Sequence, residues 1–260
     1  MSTYTNSDTV PTSSAHDDAT ISSPHAALAV LELSKRFGNR HALSNITFTL
    51  PQGAFLAVFG ANGAGKTTLL RVLSTLLRPD AGSVRLCGID VREQPEQARG
   101  TIGLISHNSM LYPDLTAEEN LLFAARLYGV ANPHERALEM LAAVELNHRR
   151  MDRVRGFSHG MTKRLAIARA LIHDPELVLM DEPYSGLDAR AMRVFDSLIN
   201  QARQNRTFVM VSHDLEQGFE LATHILLLAQ GQVMAFGEKD RFALADFTQS
   251  YLQTAAVEMV

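Results

Sequence analysis

The sequence predicts an α/β fold with a mainly parallel β-sheet, and two observations support that prediction. Short apolar segments of strand length alternate with longer segments of helical periodicity along most of the chain, as in strand–helix–strand units. One strand-like segment, Phe55–Phe59, is followed directly by a glycine-rich loop, Gly60–Thr68, and then by helix-forming residues. Because ligands of such folds bind at the carboxyl ends of the strands, we expect the functional site there.

The glycine-rich loop reads Gly-Ala-Asn-Gly-Ala-Gly-Lys-Thr-Thr and fits the pattern G-x-x-x-x-G-K-[ST]. Its glycines, Gly60, Gly63 and Gly65, allow backbone N–H groups to face one anion without a Cβ clash. The following helix adds the positive end of its dipole. Lys66 can reach the β- and γ-phosphates, and the Thr67 hydroxyl can bind Mg²⁺. Because a structural turn has no use for this lysine and threonine, the loop predicts binding of a nucleoside triphosphate.

The N-terminal part of the chain divides into a tail and a β-rich region. Residues 1–27 are rich in Ser, Thr, Asp and Ala without periodicity, and we predict that they form a disordered tail. The next segments are short, β-rich and separated by turn residues, so we predict that they form β-strands. The predicted strands of this half are Ala29–Leu33, Ile46–Leu50, Phe55–Phe59, Ser83–Leu86 and Thr101–Ile105.

The middle of the chain, about residues 108–165, is predicted to be a helical subdomain inserted into the core. Thr116, with Glu119 three residues later, has the pattern of a helix N-cap. Apolar residues then recur at helical spacing, and Asn132-Pro133 separates two helices. The length of this insertion is consistent with a small subdomain.

The core is predicted to resume after this insertion, with strands and helices alternating again. The predicted elements are helix Met161–His173, strand Leu177–Met180, helix Ala189–Arg203, strand Thr207–Val211 and a hairpin at Gln230-Gly231. We therefore expect a core domain over residues 28–238 and a C-terminal extension over residues 239–260.

Composition limits the functional classes. The chain has 260 residues, enough for a large core, and its 46% hydrophobic and 20% charged residues are ordinary for a globular protein. Its net charge of −4 argues against a general nucleic-acid-binding protein, which usually has a basic surplus. The single cysteine, Cys87, cannot form an internal disulfide, which suits a reducing compartment. No apolar segment approaches the length that spans a bilayer, so we expect any membrane role to act through a partner.

Two further strand ends carry side chains suited to nucleotide chemistry. Asp181 follows an apolar strand and can hold Mg²⁺ beside Thr67. Glu182 comes next and can act as the general base that polarises an attacking water. Because adjacent residues of a strand face opposite sides, the two carboxylates are expected to point in different directions. At the next strand end, His213 is placed to touch the γ-phosphate or the attacking water.

The order of these motifs resembles the ATP-binding subunit of ABC transporters over about residues 28–238. Phe157–Met161 and the helix after it resemble the signature loop, and Ser185–Asp188 resembles the D-loop. His213 falls at the switch histidine, and Phe37 falls where an aromatic residue stacks on adenine. This combination separates ABC proteins from other enzymes with a phosphate-binding loop. The resemblance implies the ABC ATPase version of the phosphate-loop (P-loop) NTPase fold, with a mainly parallel core sheet, an antiparallel β subdomain and a helical insertion.

The resemblance also implies a head-to-tail dimer, in which each ATP lies between the phosphate loop of one subunit and the signature loop of the other. Binding ATP would join the subunits, and hydrolysis would release them. This motion would drive an integral membrane permease docked near the helical insertion, at the cytoplasmic face of the membrane. The implied ATP contacts are Phe37, Gly60, Asn62, Gly63, Gly65, Lys66, Thr67, Thr68, Ser158, Gly160 and Asp188. The implied Mg²⁺ ligands are Thr67 and Asp181, and the implied catalytic residues are Glu182, His213 and His107.

Two positions depart from the usual ABC pattern. The usual signature Leu-Ser-Gly-Gly-Gln is Phe-Ser-His-Gly-Met at residues 157–161, which keeps the serine and the second glycine. The glutamine that ordinarily reaches Mg²⁺ is His107. Because an imidazole titrates near neutral pH, we hypothesise that these changes slow hydrolysis or make it sensitive to pH.

These departures resemble one branch of the family, the ATP-binding subunit of the haem exporter of cytochrome c maturation. The similar segments are the histidine at 107, Leu111–Leu121, the Phe-Ser-x-Gly-Met signature and Asp181–Asp188. We therefore expect haem export as the function, with a drug or other small-molecule exporter as the alternative, since daunorubicin-type ATPases share much of this sequence.

Two other classes of ABC protein fit this sequence less well. ABC proteins of DNA repair or translation carry long coiled-coil insertions or two ATPase halves, whereas this sequence has one phosphate loop and a short insertion. A switch that binds ATP without turnover is disfavoured by the intact Lys66, Asp181, Glu182 and His213.

Overall fold

Two β-sheets organise the molecule. The computed structural model describes residues 26–203 and 206–257, so the predicted disordered tail lies outside the described residues, apart from its last two positions. Those two, Ala26 and Ala27, already belong to the first strand. The antiparallel sheet has the order β2-β1-β4-β5, and the strands are β1 (Ala26–Phe37), β2 (Arg40–Pro51), β4 (Ala81–Leu86) and β5 (Ile89–Asp90).

The second sheet has six strands in the order β10-β9-β3-β8-β7-β6. Five strands run parallel, and β10 closes one edge as an antiparallel hairpin with β9. The strands are β3 (Phe55–Phe59), β6 (Ile102–Ile105), β7 (Leu177–Asp181), β8 (Thr207–Val211), β9 (His224–Ala229) and β10 (Gln232–Glu238). Strands β3 and β8 are buried at every position, which explains why they read as continuous apolar runs without alternation.

The predicted fold class is confirmed: a mainly parallel core sheet, an antiparallel β subdomain and a helical insertion. The helices are α1 (Lys66–Leu73), α2 (Pro95–Gly100), α3 (Ala117–Leu127), α4 (Pro133–Ala143), α5 (His159–Leu171), α6 (Ala189–Ala202), α7 (Leu215–Leu221) and α8 (Leu244–Val257). The sequence prediction omitted α2, α7 and α8. In the described part of the chain, none of the helices has both the length and the apolar character needed to cross a bilayer.

The helical insertion consists of α3, α4 and two short 3₁₀ turns before α5. Thr116 caps α3 as predicted: its hydroxyl accepts from Glu119 N at 3.1 Å, and Thr116 N donates to the Glu119 carboxylate at 2.7 Å. Pro133 begins α4. Helix α5 begins at His159, two residues before the predicted start, because Ser158 already acts as its N-cap. The insertion is therefore followed directly by the N-terminus of α5.

The C-terminal helix α8 packs onto the core sheet through an aromatic cluster. Phe247 is buried and contacts Phe59 with ring centroids 5.4 Å apart, as well as Phe219 on α7. Phe59 is the last residue of β3, directly before the glycine-rich loop. The extension beyond residue 238 therefore supports the strand end on which the phosphate loop begins.

His173, just after α5, is a buried imidazole between the insertion and the core. Its ring stacks on Tyr128 with centroids 3.8 Å apart, Nε2 lies 3.0 Å from Ile102 O, and Nδ1 is buried without a hydrogen-bond partner. Burial lowers the pKa of His173 from its usual 6.5 to about 4. The neutral imidazole is therefore the form that the native structure accommodates.

We expect this histidine to make folding sensitive to acid. Between its folded and unfolded pKa values the unfolded chain binds more protons, so the free energy of unfolding falls as pH drops from about 6.5 to about 4, by up to about 3 kcal/mol. Urea unfolding at several pH values will show a shallower acid loss for His173→Gln than for the parent. His148→Gln, at an exposed position, is the matched control. Equal pH slopes for both variants would contradict the prediction.

Candidate nucleotide-binding site

The glycine-rich loop between β3 and α1 is held close to neighbouring backbone. A Cβ atom on Gly60 would lie 2.3 Å from Leu228 O, and one on Gly65 would lie 2.5 Å from Ala42 O. Gly65 is also left-handed, with φ of 104°, at the N-cap of α1. These two glycines let the loop bend tightly enough for its N–H groups and the helix N-terminus to converge on one anion.

Lys66 is the first residue of α1, and its ammonium group lies within the loop. Nζ donates to Gly60 O at 2.6 Å and to Ala61 O at 2.8 Å, and the residue is only 8% exposed. Nζ is therefore held at the N-terminus of α1, where the positive end of the helix dipole favours an anion. The lysine is thus already located where a phosphate group would meet it.

A cleft of about 420 Å³ brings most of the predicted site residues together. It is lined by Phe37, Arg40, Ala42, Asn62, Gly63, Gly65, Lys66, Thr67, Thr68, Asp181, Glu182 and Val211. The antiparallel sheet, the glycine-rich loop and the ends of β7 and β8 all contribute to it. Phe37 is half-exposed at the end of β1, in a position to offer a ring face at the mouth of the cleft.

The two carboxylates do not diverge as the sequence analysis expected. Asp181 ends β7, but Glu182 has already left the strand and has a left-handed backbone with φ of 51°. Its N–H donates to Val211 O at 3.0 Å, which fixes this bend against β8. Strand alternation therefore no longer applies, and both carboxylates line the same cleft.

Asp181 has the properties of a cation ligand. Its burial and the neighbouring Glu182 raise the pKa of Asp181, and the charges of Arg71, Lys66 and His107 offset this only in part. The Thr67 hydroxyl lines the same cleft. A carboxylate and a hydroxyl are oxygen donors of the type that Mg²⁺ prefers, so these residues fit the ion that the fold family implies. Among the described residues there is no cluster of three His, Cys, Asp or Glu side chains that could hold a metal alone.

The two predicted histidines lie at the edge of this cleft. His213 Nδ1 contacts a carboxylate oxygen of Glu182. His107 is exposed in the loop after β6, close enough to Asp181 for its charge to influence the pKa of that carboxyl. Neither histidine is among the cleft-lining residues.

Ser158, Gly160 and Asp188 lie away from the cleft but close to one another. Ser158 caps α5, where its Oγ accepts from Met161 N at 3.3 Å. Asp188 caps α6, where Oδ1 accepts from Ala191 N at 2.7 Å. A Cβ atom on Gly160 would lie 2.8 Å from Asp188 Oδ2. One chain therefore has a second group of candidate residues outside the cleft lining, in which Ser158 and Asp188 are exposed and Gly160 is buried.

Sequence reasoning missed three residues that line the cleft, Arg40, Ala42 and Val211. Arg40 begins β2, and a Cβ atom on Gly63 would lie 3.3 Å from its guanidinium. The available signal was a basic residue directly after the short β1–β2 turn, but the proximity of Arg40 to the loop depends on how the antiparallel sheet packs against α1.

The basic residues before the signature loop form a salt-bridged surface. Arg149 contacts Asp152, Arg150 lies 3.5 Å from Glu118, and Arg155 lies 3.3 Å from Asp114. Because acidic side chains on the same surface neutralise these arginines, this region is not a concentrated positive patch.

Comparison with known proteins identifies the family. The family model described as ABC transporter matches residues 43–185, which is more than half of the chain. The protein therefore belongs to the ABC transporter family, as one of its ATP-binding subunits. A relative named ABC transporter ATP-binding protein NatA, from Bacillus subtilis, is 36% identical over 219 residues and covers 81% of this chain and 89% of its own.

Other relatives are named for the export of, or resistance to, specific compounds. The daunorubicin resistance ATP-binding protein DrrA3 of Streptomyces coeruleorubidus is 38% identical, covering 82% of this chain and 69% of its own length. The linearmycin resistance ATP-binding protein LnrL of Bacillus subtilis is 34% identical, with 80% and 68% coverage.

Solved structures agree with the fold. The structure of an ATP-binding subunit of an ABC transporter superposes with a TM-score of 0.79 at 28% identity, covering 89% of this chain and 98% of that one. A dimeric ATP-binding cassette in a post-hydrolysis state, bound to ADP and Pi, superposes with a TM-score of 0.74 at 26% identity, covering 82% and 98%.

Proposed function

We propose that this chain hydrolyses ATP as the energy-supplying subunit of an exporter whose membrane-spanning part is a separate permease. The observation that carries this proposal is the cleft itself, where Lys66 and Thr67 from one chain segment and Asp181 and Glu182 from another line one cavity. The family membership of the chain supports the same activity.

The cleft provides a contact for each part of a nucleotide. Phe37 would stack on adenine, and Arg40 lies beside Gly63 of the loop. The N–H groups of the loop, from Gly60 to Thr68 and including Asn62, Gly63 and Gly65, would surround the phosphates. Lys66 would exchange its two carbonyl contacts for phosphate oxygens. Thr67 and Asp181 would hold Mg²⁺, which, when bound, neutralises charge on the phosphates.

Glu182 is proposed to be the general base. Its carboxylate would take a proton from the attacking water as the water oxygen bonds to the γ-phosphorus and the bond to the β,γ-bridging oxygen breaks. His213 contacts this carboxylate and would orient it or contact the γ-phosphate. His107 would take the place of an amide near the ion and the coupling surface.

The complete site is proposed to need two copies of the chain. Ser158, Gly160 and Asp188 are not among the residues that line the cleft, and a helix N-terminus at Ser158 favours an anion. In a head-to-tail homodimer these residues would reach the γ-phosphate held by the partner's cleft. The dimeric cassette among the similar structures supports this arrangement.

The helical insertion is the proposed contact with the permease, on the cytoplasmic face of the membrane. It exposes apolar side chains near His107: Tyr112 is 52% exposed, Phe123 47% and Leu127 72%. The rings of Tyr112 and Phe123 meet edge to face with centroids 5.3 Å apart. An exposed apolar surface of this kind is typical of a protein interface. No nucleic-acid role is proposed, since the basic residues nearby are paired with acids.

The cargo that the relatives favour is a drug or other small molecule. Daunorubicin and linearmycin resistance appear in the names of two relatives, and Nod factor export in that of a third, 33% identical, from Paraburkholderia xenovorans. Haem export, the cargo expected from the sequence, is not supported by these names. Most of the motifs behind that expectation lie at the nucleotide site or in the signature loop, where ABC exporters of different cargo resemble one another, and the remaining segment, Leu111–Leu121, lies in the helical insertion.

Deletion of the gene tests the cargo directly. We expect increased sensitivity to exported small molecules with c-type cytochromes at normal levels, and the membrane protein that copurifies with the chain identifies the permease. Loss of c-type cytochromes with unchanged drug tolerance would overturn this choice in favour of haem. ATP-dependent phosphate release by the purified complex tests the activity itself.

A further inference from the structure

His159, the first residue of α5, contacts the loop that precedes α6. A Cβ atom built on Gly186 would lie 2.8 Å from His159 Nε2 and 3.4 Å from His159 Cδ2. The imidazole edge therefore lies directly over the backbone of Gly186, with no room for a side chain between them. Its position is that of the first glycine of the usual signature, so this contact arises from a departure in this chain.

A second close approach joins the next residue of α5 to a position two residues further along the other segment. Gly160 faces Asp188 Oδ2, and a Cβ atom on Gly160 would lie 2.8 Å from it, while the other oxygen of Asp188 caps α6. The segment Ser185–Asp188, here called the 185–188 turn, therefore meets the start of α5 at two successive points.

The other side of the 185–188 turn is attached to α6. Tyr184 donates its hydroxyl proton to Asp196 Oδ1 at 2.7 Å, and its ring meets Phe195 edge to face with centroids 4.8 Å apart. Leu187 N donates to Tyr184 O at 3.1 Å. Gly186 has no side chain of its own, so the imidazole of His159 supplies the contact between this residue and α5, while Asp188 supplies the second contact.

We propose that His159 is a positioning residue that holds the 185–188 turn in register with the signature loop. This proposal rests on the proposed dimer, in which both segments approach the nucleotide of the partner subunit. With the two segments fixed to each other, Ser158 and Asp188 reach that nucleotide as one unit. Small errors in such placement lower the rate of the chemical step more than the affinity for ATP.

Single substitutions test the effect on catalysis in the complete complex. His159→Gly is expected to lower kcat about tenfold and to change KM for ATP by less than about twofold, since the residues of the cleft are untouched. His159→Gln, which places a planar amide near Nε2, is expected to restore most of the rate. His148→Gly is the matched control at an exposed position and should match the parent. A parental kcat for His159→Gly would overturn the proposal.

A double-mutant cycle tests the contact itself. Gly186→Ala displaces the imidazole in the parent, but with His159→Gly there is no imidazole to displace, so the loss in kcat and in Tm should be smaller there. We expect non-additivity of about threefold in kcat and about 2 °C in Tm. Additive effects would overturn the proposal. If the parent and Glu182→Gln release phosphate at the same rate, the proposed function fails, while the Tm cycle still decides whether the contact exists.

Discussion

Replacing Glu182 by Gln is expected to lower ATP turnover by at least about 100-fold, the scale of a lost general base. Glutamine keeps the size of the side chain and can still hydrogen-bond, but it cannot accept a proton from water. ATP binding should stay within about threefold of the parent, because the phosphate contacts come from Lys66 and the loop. Phosphate release and ATP affinity, measured on the purified complex, separate the two effects.

The same substitution is expected to trap the dimer. If hydrolysis releases the two copies, a variant that binds ATP without splitting it should accumulate as a dimer in Mg-ATP, visible by light scattering. Glu216→Gln makes the same chemical change at an exposed position on α7 and should behave as the parent. Parental turnover in Glu182→Gln would remove this residue from the chemical step. A monomer in Mg-ATP would argue against the shared site.

Replacing Lys66 by Met is expected to weaken ATP binding by about 100-fold or more. The ammonium group makes charge-assisted hydrogen bonds, each of about 1.5–3 kcal/mol, and its transfer from two carbonyls to phosphate oxygens needs little movement. Methionine keeps the aliphatic stem and the packing, so the loss reports on the charge. Titration with a fluorescent ATP analogue gives the dissociation constant.

Two further variants test whether the loss of ATP affinity is specific to the ammonium group at position 66. Lys66→Arg should fail almost as badly, because a planar guanidinium does not fit a site that leaves the lysine 8% exposed. Lys239→Met, beyond β10 and outside the cleft, should bind ATP as the parent does. If Lys66→Met binds ATP with parental affinity, the phosphates do not lie in this loop.

Much of the fold could be predicted because its signals are local. The capping pair of Thr116 and Glu119 and the helix break at Pro133 depend on residues a few positions apart, and both appear in the structure. The sequence did not predict helices α7 and α8, because their signals are short or depend on distant residues. Helix α7 has only seven residues, and α8 depends on burying Phe247 against Phe59, far away in the sequence.

The identity of the cargo was the property that the sequence predicted least well. Apart from Leu111–Leu121 in the helical insertion, the residues that resemble a haem exporter lie around the nucleotide and the signature loop, where the chemistry is common to the whole family. A subunit that supplies energy has little reason to encode its cargo in those residues. The names of the relatives, which favour small-molecule export, carry information that the local motifs did not.

The sequence by itself determined the family and the chemical identity of the site, because a loop that turns on glycines, a lysine and a strand ending in two carboxylates are contiguous motifs. The tertiary structure decided the geometry. It brought Arg40 beside the loop, turned Glu182 into the same cleft as Asp181 and placed His159 against Gly186. These contacts join segments distant in the chain or depend on one backbone dihedral, and neither is written in local periodicity.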